Sequence, residues 1–406
     1  MPAARKAGRV NDKPKPPLGL LIAVSLIGPL SMHMIVPSLP DLQKHFATDY
    51  SSTQLLVSLF MVAFGASQIV IGPIADAHGR RKVLLIGVLL FCAISVLCTF
   101  STSIEMLIVL RILEGTCACV GMVLGRAIVR DVADDEQTTR MLGYMAVGVS
   151  VGPMTAPALG GILFENFGWT ATFWFLAILS AIILLFSWLY IPETNRRAGT
   201  PFRLSILFRD FRWLLTNREF VLNGSCICFS TAMFYCFVIG APYVSNHMLG
   251  LTPTSYGLWF SLTAIGFALG NFTVGRIGGR FDPSLVVLFG TGAISAFVLV
   301  LAGLFALGFG SAAVLFSVTS CMTFANGLMM PHAMAGVLKP DPEKAGSASG
   351  LSGFLQFAFA ALFSYLMGVA IEGAQTAFPL FAAMFGTSLL STGAAFLLMR
   401  GGTKRK

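Results

Sequence analysis

The sequence predicts an all-α integral membrane protein: twelve transmembrane helices in two six-helix, pseudo-repeated halves. Three observations predict it. Of the 406 residues, 56% are hydrophobic and 11% charged, with a mean hydropathy of +0.80, against the roughly 25% charged usage of soluble domains. Twelve mostly apolar runs start near residues 18, 52, 82, 104, 138, 168, 219, 254, 284, 311, 344 and 376, each able to cross a hydrocarbon core that needs roughly 20 residues per helix. Of the 27 Lys and Arg residues, 25 fall in alternate segments between runs, the pattern that marks cytoplasmic connections. The runs lack the period-two alternation of barrel strands, which leaves helices.

Taken in order, residues 1–17 form a basic cytoplasmic tail, and the apolar run after it imitates a signal peptide. That run reaches residue 39 without a small-residue cleavage site and eleven more follow, so it is a first helix that stays. Residues 18–191 make the first six-helix half, with short outer loops such as "FSTSIE" and "ENFGW". Residues 192–218 are a long cytoplasmic linker whose middle, "FRLSILFRDFRWLL", is basic and amphipathic and suited to the membrane surface. Residues 219–399 make the second half, and 400–406 a short cytoplasmic tail, so both termini lie inside. "GPIADAHGRRK" (72–82) is echoed by "GNFTVGRIGGRFDP" (270–283) at the equivalent place in the second half, which suggests a repeat about an axis along the membrane normal with a path between the halves. Outside the inner segments stand Lys44, in the first outer loop, and Arg111, within the fourth span.

Composition and motifs exclude several functions. The net charge of +9 follows from loop topology, and no compact basic domain exists to hold nucleic acid. All eight cysteines fall in the spans and read as packing residues. Five histidines show no HExxH-like spacing, so no metal site is expected, and no G-x-x-x-x-G-K-[ST] exists to cradle ATP. No cofactor is implied. A membrane-embedded enzyme would need a nucleophile or metal cluster in the spans, and none is visible. Transport driven by an ion gradient or the substrate's own gradient remains.

The motifs carry a resemblance. "GPIADAHGRRK" resembles the loop signature of the major facilitator superfamily, Gly-x-x-x-Asp-x-x-Gly-Arg-Arg/Lys; "RILEG" (111–115) resembles its fourth-span Arg-x-x-x-Gly motif. "GVSVGPMTAPALGG" (148–161) resembles the fifth-span antiporter motif of the Bcr/CflA (bicyclomycin-resistance type) drug:proton antiporters, which "MHMIVPSLPDL" in span one and "AGSASGL" at span eleven also fit. The resemblance covers essentially the whole chain. It implies a bacterial inner-membrane carrier, a monomer with its path between its own halves, whose partners are a small-molecule substrate, protons and the bilayer.

On that resemblance Gly72, Asp76, Gly79, Arg80, Arg81 and Asp131 form a gating loop. Asp76 would face the positive N-terminal end of span eleven near Ala345 and Gly346, a contact worth about 0.3–1 kcal/mol exposed and up to about 2 kcal/mol partly buried. Arg80 would pair with Asp131, while Arg81 and Lys82 chiefly enforce topology. Arg111 and Glu114, three apart on one helix face, must face protein or a water-filled cavity, and proton coupling is assigned to Arg111, Glu114 and His33, with Glu114, His33 or both as the proton carrier; the alternatives are a permanent ion pair that fixes span four for Glu114 and a hydrogen-bonded packing residue for His33. His33 stands where the subfamily has an acid, and an imidazole titrating near neutrality could replace it. In span five, Gly148, Gly152, Gly160 and Gly161 permit close helix approach, and Pro153 and Pro157 bend the helix. His33, Met34, Pro242 and Tyr243 are expected at the substrate cavity; Asp41 is expected at the outer surface. The reading that follows is proton-coupled efflux of small amphipathic compounds by alternating access. The alternative is a proton-coupled exporter or importer of an amino-acid-like metabolite, and the more distant rival is a non-transporting membrane sensor with the same fold.

Overall fold

The computed structural model describes residues 16–132, 135–195, 204–277, 281–341 and 344–402. Span one is α1 (Leu18–Met34), a 3₁₀ turn (Val36–Ser38) and α2 (Leu39–His45) in line, broken where Pro37 and Pro40 start the two short pieces. Then follow α3 (Tyr50–His78), α4 (Arg80–Cys98), α5 (Ile104–Val132), α6 (Asp135–Phe167) and α7 (Thr170–Tyr190). The linker contributes α8 (Leu204–Thr216). The second half is α9 (Arg218–His247), α10 (Pro253–Ile277), α11 (Pro283–Ala306), α12 (Ala312–Leu338), α13 (Ala345–Ile371) and α14 (Phe378–Gly402). Among the described residues, 11 stretches are long and apolar enough to cross a membrane; α6, at 33 residues, is the twelfth span. Each of the twelve spans starts within three residues of the position expected from the sequence, because Lys, Arg, Pro and Gly punctuate the apolar runs sharply.

The repeat is visible in the packing. In the first half α3 packs on α5, α4 on α5 and α7, and α1 on α5, α6 and α7; in the second half α10 packs on α12, α11 on α12 and α14, and α9 on α12, α13 and α14. Every pairing recurs six spans later. The halves meet through α6 on α10 and α3 on α13, two contacts that the same pseudo-twofold axis exchanges. Lipid offers no hydrophobic drive for helices to associate, so close packing through small residues brings them together instead. A Cβ at Gly115 of α5 would lie 2.6 Å from the carbonyl oxygen of Phe60 in α3, and one at Gly121 would collide with the Val24 carbonyl of α1. Outward faces carry exposed Leu89, Leu97, Ile178 and Leu185, which is apolar surface for acyl chains.

The linker helix is pinned to the second half. Leu214 is buried there beside Ala348 and Leu351 of α13, Ser347 Oγ donates to Asp210 Oδ2 at 3.2 Å, and the Lys344 ammonium stands 4.6 Å from the centre of the Trp213 ring. Phe208 and Leu215 remain on its exposed face.

Candidate functional site

Arg111 and Glu114 sit on adjacent turns of α5 with 0% side-chain exposure, their Nη1 and Oε2 atoms 2.6 Å apart. The i, i+3 spacing puts both on one face, and that face is turned into the first half. Arg111 Nη1 also donates to Ser31 Oγ at 2.7 Å, Nη2 to the Ser31 carbonyl at 3.2 Å and Nε to the Leu56 carbonyl at 3.2 Å. Its guanidinium carbon lies 4.2 Å from the centre of the Phe60 ring. Ser95 Oγ of α4 donates to the second Glu114 oxygen at 2.8 Å. The pair is therefore tied to spans one, two and three at once, a satisfied network of the kind that makes a buried charge tolerable.

His33 is separate from that network. Two residues along a helix is about 200° of rotation, so Ser31 faces α5 while His33 faces the other half. Its Nδ1 hydrogen-bonds the Pro29 carbonyl at 2.8 Å, its buried Nε2 has no hydrogen-bond partner among the described residues, and its ring centre is 6.0 Å from that of Tyr235 in α9. The Tyr235 hydroxyl donates to Met32 Sδ at 2.8 Å. The sequence thus singled out one ion pair and one imidazole, and the structure places the first inside a half and the second between halves.

Met34 and Tyr243, expected on the cavity wall, lie in packed regions. Met34 is fully buried and its carbonyl oxygen faces Gly160 of α6, where any Cβ would collide with it. Tyr243 stacks on His247 with ring centres 4.2 Å apart, stands 5.3 Å from the Tyr50 ring across the halves, and accepts from the Gly373 backbone N–H at 3.2 Å. Pro242 is buried inside α9. Asp41 pairs with Lys44 at 3.5 Å near the end of α2.

At the end of the bundle that carries both termini, the gating-loop residues converge. Gly79 turns the chain from α3 to α4 at φ 97°, in the left-handed region that a side chain would disfavour. Arg80 Nε pairs with Asp131 Oδ2 at 2.7 Å and its Nη2 with Asp76 Oδ1 at 3.3 Å. Asp76, 54% exposed in its side chain, has its ion pair within its own half, and a Cβ at Gly346 at the start of α13 would meet nothing within 4 Å; Asp210 of the linker contacts that turn of α13 instead. Gly72 leaves a built Cβ 4.0 Å from Val123.

Sequence reasoning missed the residues directly after α7. The backbone N–H groups of Arg80 and Arg81 donate to the two Glu193 oxygens at 3.0 and 3.2 Å, capping α4. Thr194 Oγ1 donates to Asp131 Oδ2 at 2.9 Å, and Asn195 Nδ2 donates to the Asp76 carbonyl at 2.7 Å. Arg81 Nη2 donates to the Trp188 carbonyl at 2.7 Å. The available signal was "PETN" itself, polar residues at the abrupt end of an apolar run.

The antiporter-motif helix α6 packs through its small residues. Gly148 faces Ile22 and Gly152 faces Leu26 and Pro29 of α1, with Pro153 between them and the next turn; Gly161 would place a Cβ 2.5 Å from the Pro253 carbonyl of α10, and Gly257 of α10 returns the approach on Pro157. At the end away from the termini, the Tyr50 hydroxyl donates to the Ile239 carbonyl at 2.9 Å, and Ser58 Oγ meets Ser364 Oγ at 3.3 Å. The halves are sealed there.

Comparison with known proteins agrees with this architecture. The chain is 30% identical over 385 residues, 94% of each sequence, to the uncharacterized MFS-type transporter YdgK of Bacillus subtilis. It is 25% identical to the bicyclomycin resistance protein homolog of Haemophilus influenzae over 94% of each sequence, and 25% identical to multidrug resistance protein D of Escherichia coli over 83% and 84%. Among solved structures, a bacterial homolog of the human lysosomal transporter Spinster, inward-facing and occupied, superimposes with a TM-score of 0.73 at 16% identity over 94% and 96% of the chains. The D-xylose–proton symporter does so with 0.74 at 14% identity, over the same shares. Residues 21–365 match the family description Major Facilitator Superfamily, and with the twelve-span, two-half architecture this protein is a multi-pass membrane transporter that belongs to that superfamily.

Proposed function

We propose that this transporter exports small amphipathic compounds in exchange for protons, by alternating access, from the bacterial inner membrane, as a monomer with both termini in the cytoplasm. The observation that carries the proton coupling is the buried Arg111–Glu114 pair: these are the only Asp, Glu, Lys or Arg side chains fully buried among the described residues. Glu114 is held there by the Arg111 guanidinium and the Ser95 hydroxyl, a balance of contacts that fastens its carboxylate inside the first half. Because Ser31, Leu56 and Ser95 bring spans one, two and three to the pair, a movement of those helices during gating alters that balance. His33, whose Nε2 at the junction of the halves has no hydrogen-bond partner among the described residues, is the second proton-binding group in this proposal. The relatives named for multidrug and bicyclomycin resistance support the cargo class, as does an interior with few buried charges.

The sealed end around Tyr50, Ser58 and Ser364, together with Asp76 ion-paired inside its own half at the other end, supports a carrier open toward the end that bears its termini. In the opposite state, Asp76 would meet the first turn of α13 while the Arg80–Asp131 pair, held by Glu193, Thr194 and Asn195, moves with the first half as one body. The test is uptake into everted vesicles holding this protein, using chloramphenicol-like, bicyclomycin-like and cationic dye-like compounds with and without a protonophore. Uptake that collapses with the gradient supports the proposal. No uptake of any of these by well-folded protein transfers the reading to a carrier for an amino-acid-like metabolite.

A further inference from the structure

At the sealed end, two glutamates cap helices of the opposite half. Glu372, immediately after α13, accepts the backbone N–H of Tyr50, the first residue of α3, at 2.9 Å. Glu165, two residues before the end of α6, accepts the Thr254 backbone N–H at 2.9 Å and the Thr254 hydroxyl at 2.7 Å in the first turn of α10. The packing repeat relates α6 to α13 and α3 to α10, so the two arrangements are copies of each other. The resemblance extends to the local caps: Asp49 accepts from the third helical residue of α3, Ser52, at 3.3 Å, and Thr252 from the third of α10, Ser255, at 3.2 Å. Each helix start thus holds one acceptor from its own chain segment and one carboxylate from the other half.

We propose that Glu165 and Glu372 are a symmetric pair of latches that hold the end away from the termini closed, and that releasing both is part of opening there. The inference goes beyond the transport reading and rests only on its alternating-access element. Each carboxylate satisfies amide donors that a helix cannot satisfy for itself and lies at a positive helix end. Separation of the halves removes both contacts at once. Beneath Glu165 the backbones touch at Gly161–Pro253 and Gly257–Pro157, so this seam cannot open without carrying Glu165 off α10. Both glutamates keep exposed surface, and water takes over their hydrogen bonds when the seam parts.

The test is a spin-label distance across that end, from Thr102→Cys in the α4–α5 connection to Phe309→Cys in the equivalent α11–α12 connection, both exposed, with native cysteines replaced and the protein in lipid nanodiscs. Glu165→Gln and Glu372→Gln should each raise the ratio of long to short distances about two- to fivefold, the size expected of one exposed charge at a helix end, and the double variant should show the product of the two. Thr254→Val, which deletes a donor and keeps the side-chain shape, should move the ratio in the same direction and serves if Glu165→Gln folds poorly. Distributions superimposable on the parent's in all variants would overturn the proposal, as would a shift produced by only one of the two glutamates. The readout needs neither substrate nor gradient, so a wrong cargo assignment leaves it unaffected.

Discussion

Arg111 is the bulkiest fully buried side chain described, and what surrounds it is an acceptor or an aromatic face. Removing one member of a buried pair strands the other's charge, at about 3–5 kcal/mol, whereas replacing both by apolar residues is often neutral. Arg111→Ala should therefore lower the thermal midpoint of the purified protein markedly. The double variant Arg111→Met/Glu114→Leu should fold with a midpoint near the parent's and move no protons, which circular dichroism and a pH-dye assay check together. Ser95→Ala leaves one Glu114 oxygen without its 2.8 Å donor; the loss of one hydrogen bond to a charged group, about 1.5–3 kcal/mol, should appear as a modest fall in stability. The sequence displays Arg111 and Glu114 because charge inside an apolar run is conspicuous. Ser31, Ser95 and the Leu56 carbonyl were not legible, since serines and backbone atoms look alike everywhere until the fold selects a few.

Helices carry the next level of the account. Gly160 and Gly161 let α6 lie against Met34 of α1 and Pro253 of α10, so Gly160→Val should force α6 away, at about 1–3 kcal/mol for overpacking, seen as a lower thermal midpoint and poorer growth protection by the transporter. Asp49 caps α3 with its carboxyl held at about 2, chiefly by the Ser51 hydroxyl and then by Ser52. A depressed carboxyl contributes its stability above its unfolded-state value near 3.9 and loses it as pH falls through the folded value near 2, so the cost of Asp49→Ala should be full at pH 6 and shrink progressively as pH falls from about 4 toward 2 in a pH series of unfolding. Helix starts and types were legible because apolar length and basic punctuation are one-dimensional signals. The cap of α4 by Glu193 was not: it joins positions 113 apart, and only the fold brings them together.

Over the whole molecule, two six-helix bodies meet along α3–α13 and α6–α10, and transport requires those seams to open alternately at each end. Ser58 and Ser364, 3.3 Å apart between hydroxyl oxygens, allow the seam to be fixed. A Ser58→Cys/Ser364→Cys pair should cross-link under mild oxidation, stop uptake, and recover with reductant; full activity in the cross-linked protein would mean this seam does not open. The repeat itself was half legible: the worn echo of the gating loop at 270–283 announced it, while the matched helix pairings and matched glutamate caps exist only in three dimensions.

The most direct test of proton-coupled export uses acidified everted vesicles with an interior pH dye, comparing the parent protein with Glu114→Gln and His33→Gln at equal expression as a transported compound is added. The account predicts proton release by the parent that is abolished in Glu114→Gln and altered in His33→Gln. Release of parental size in both variants would contradict it and leave Arg111–Glu114 as a fastening within the first half.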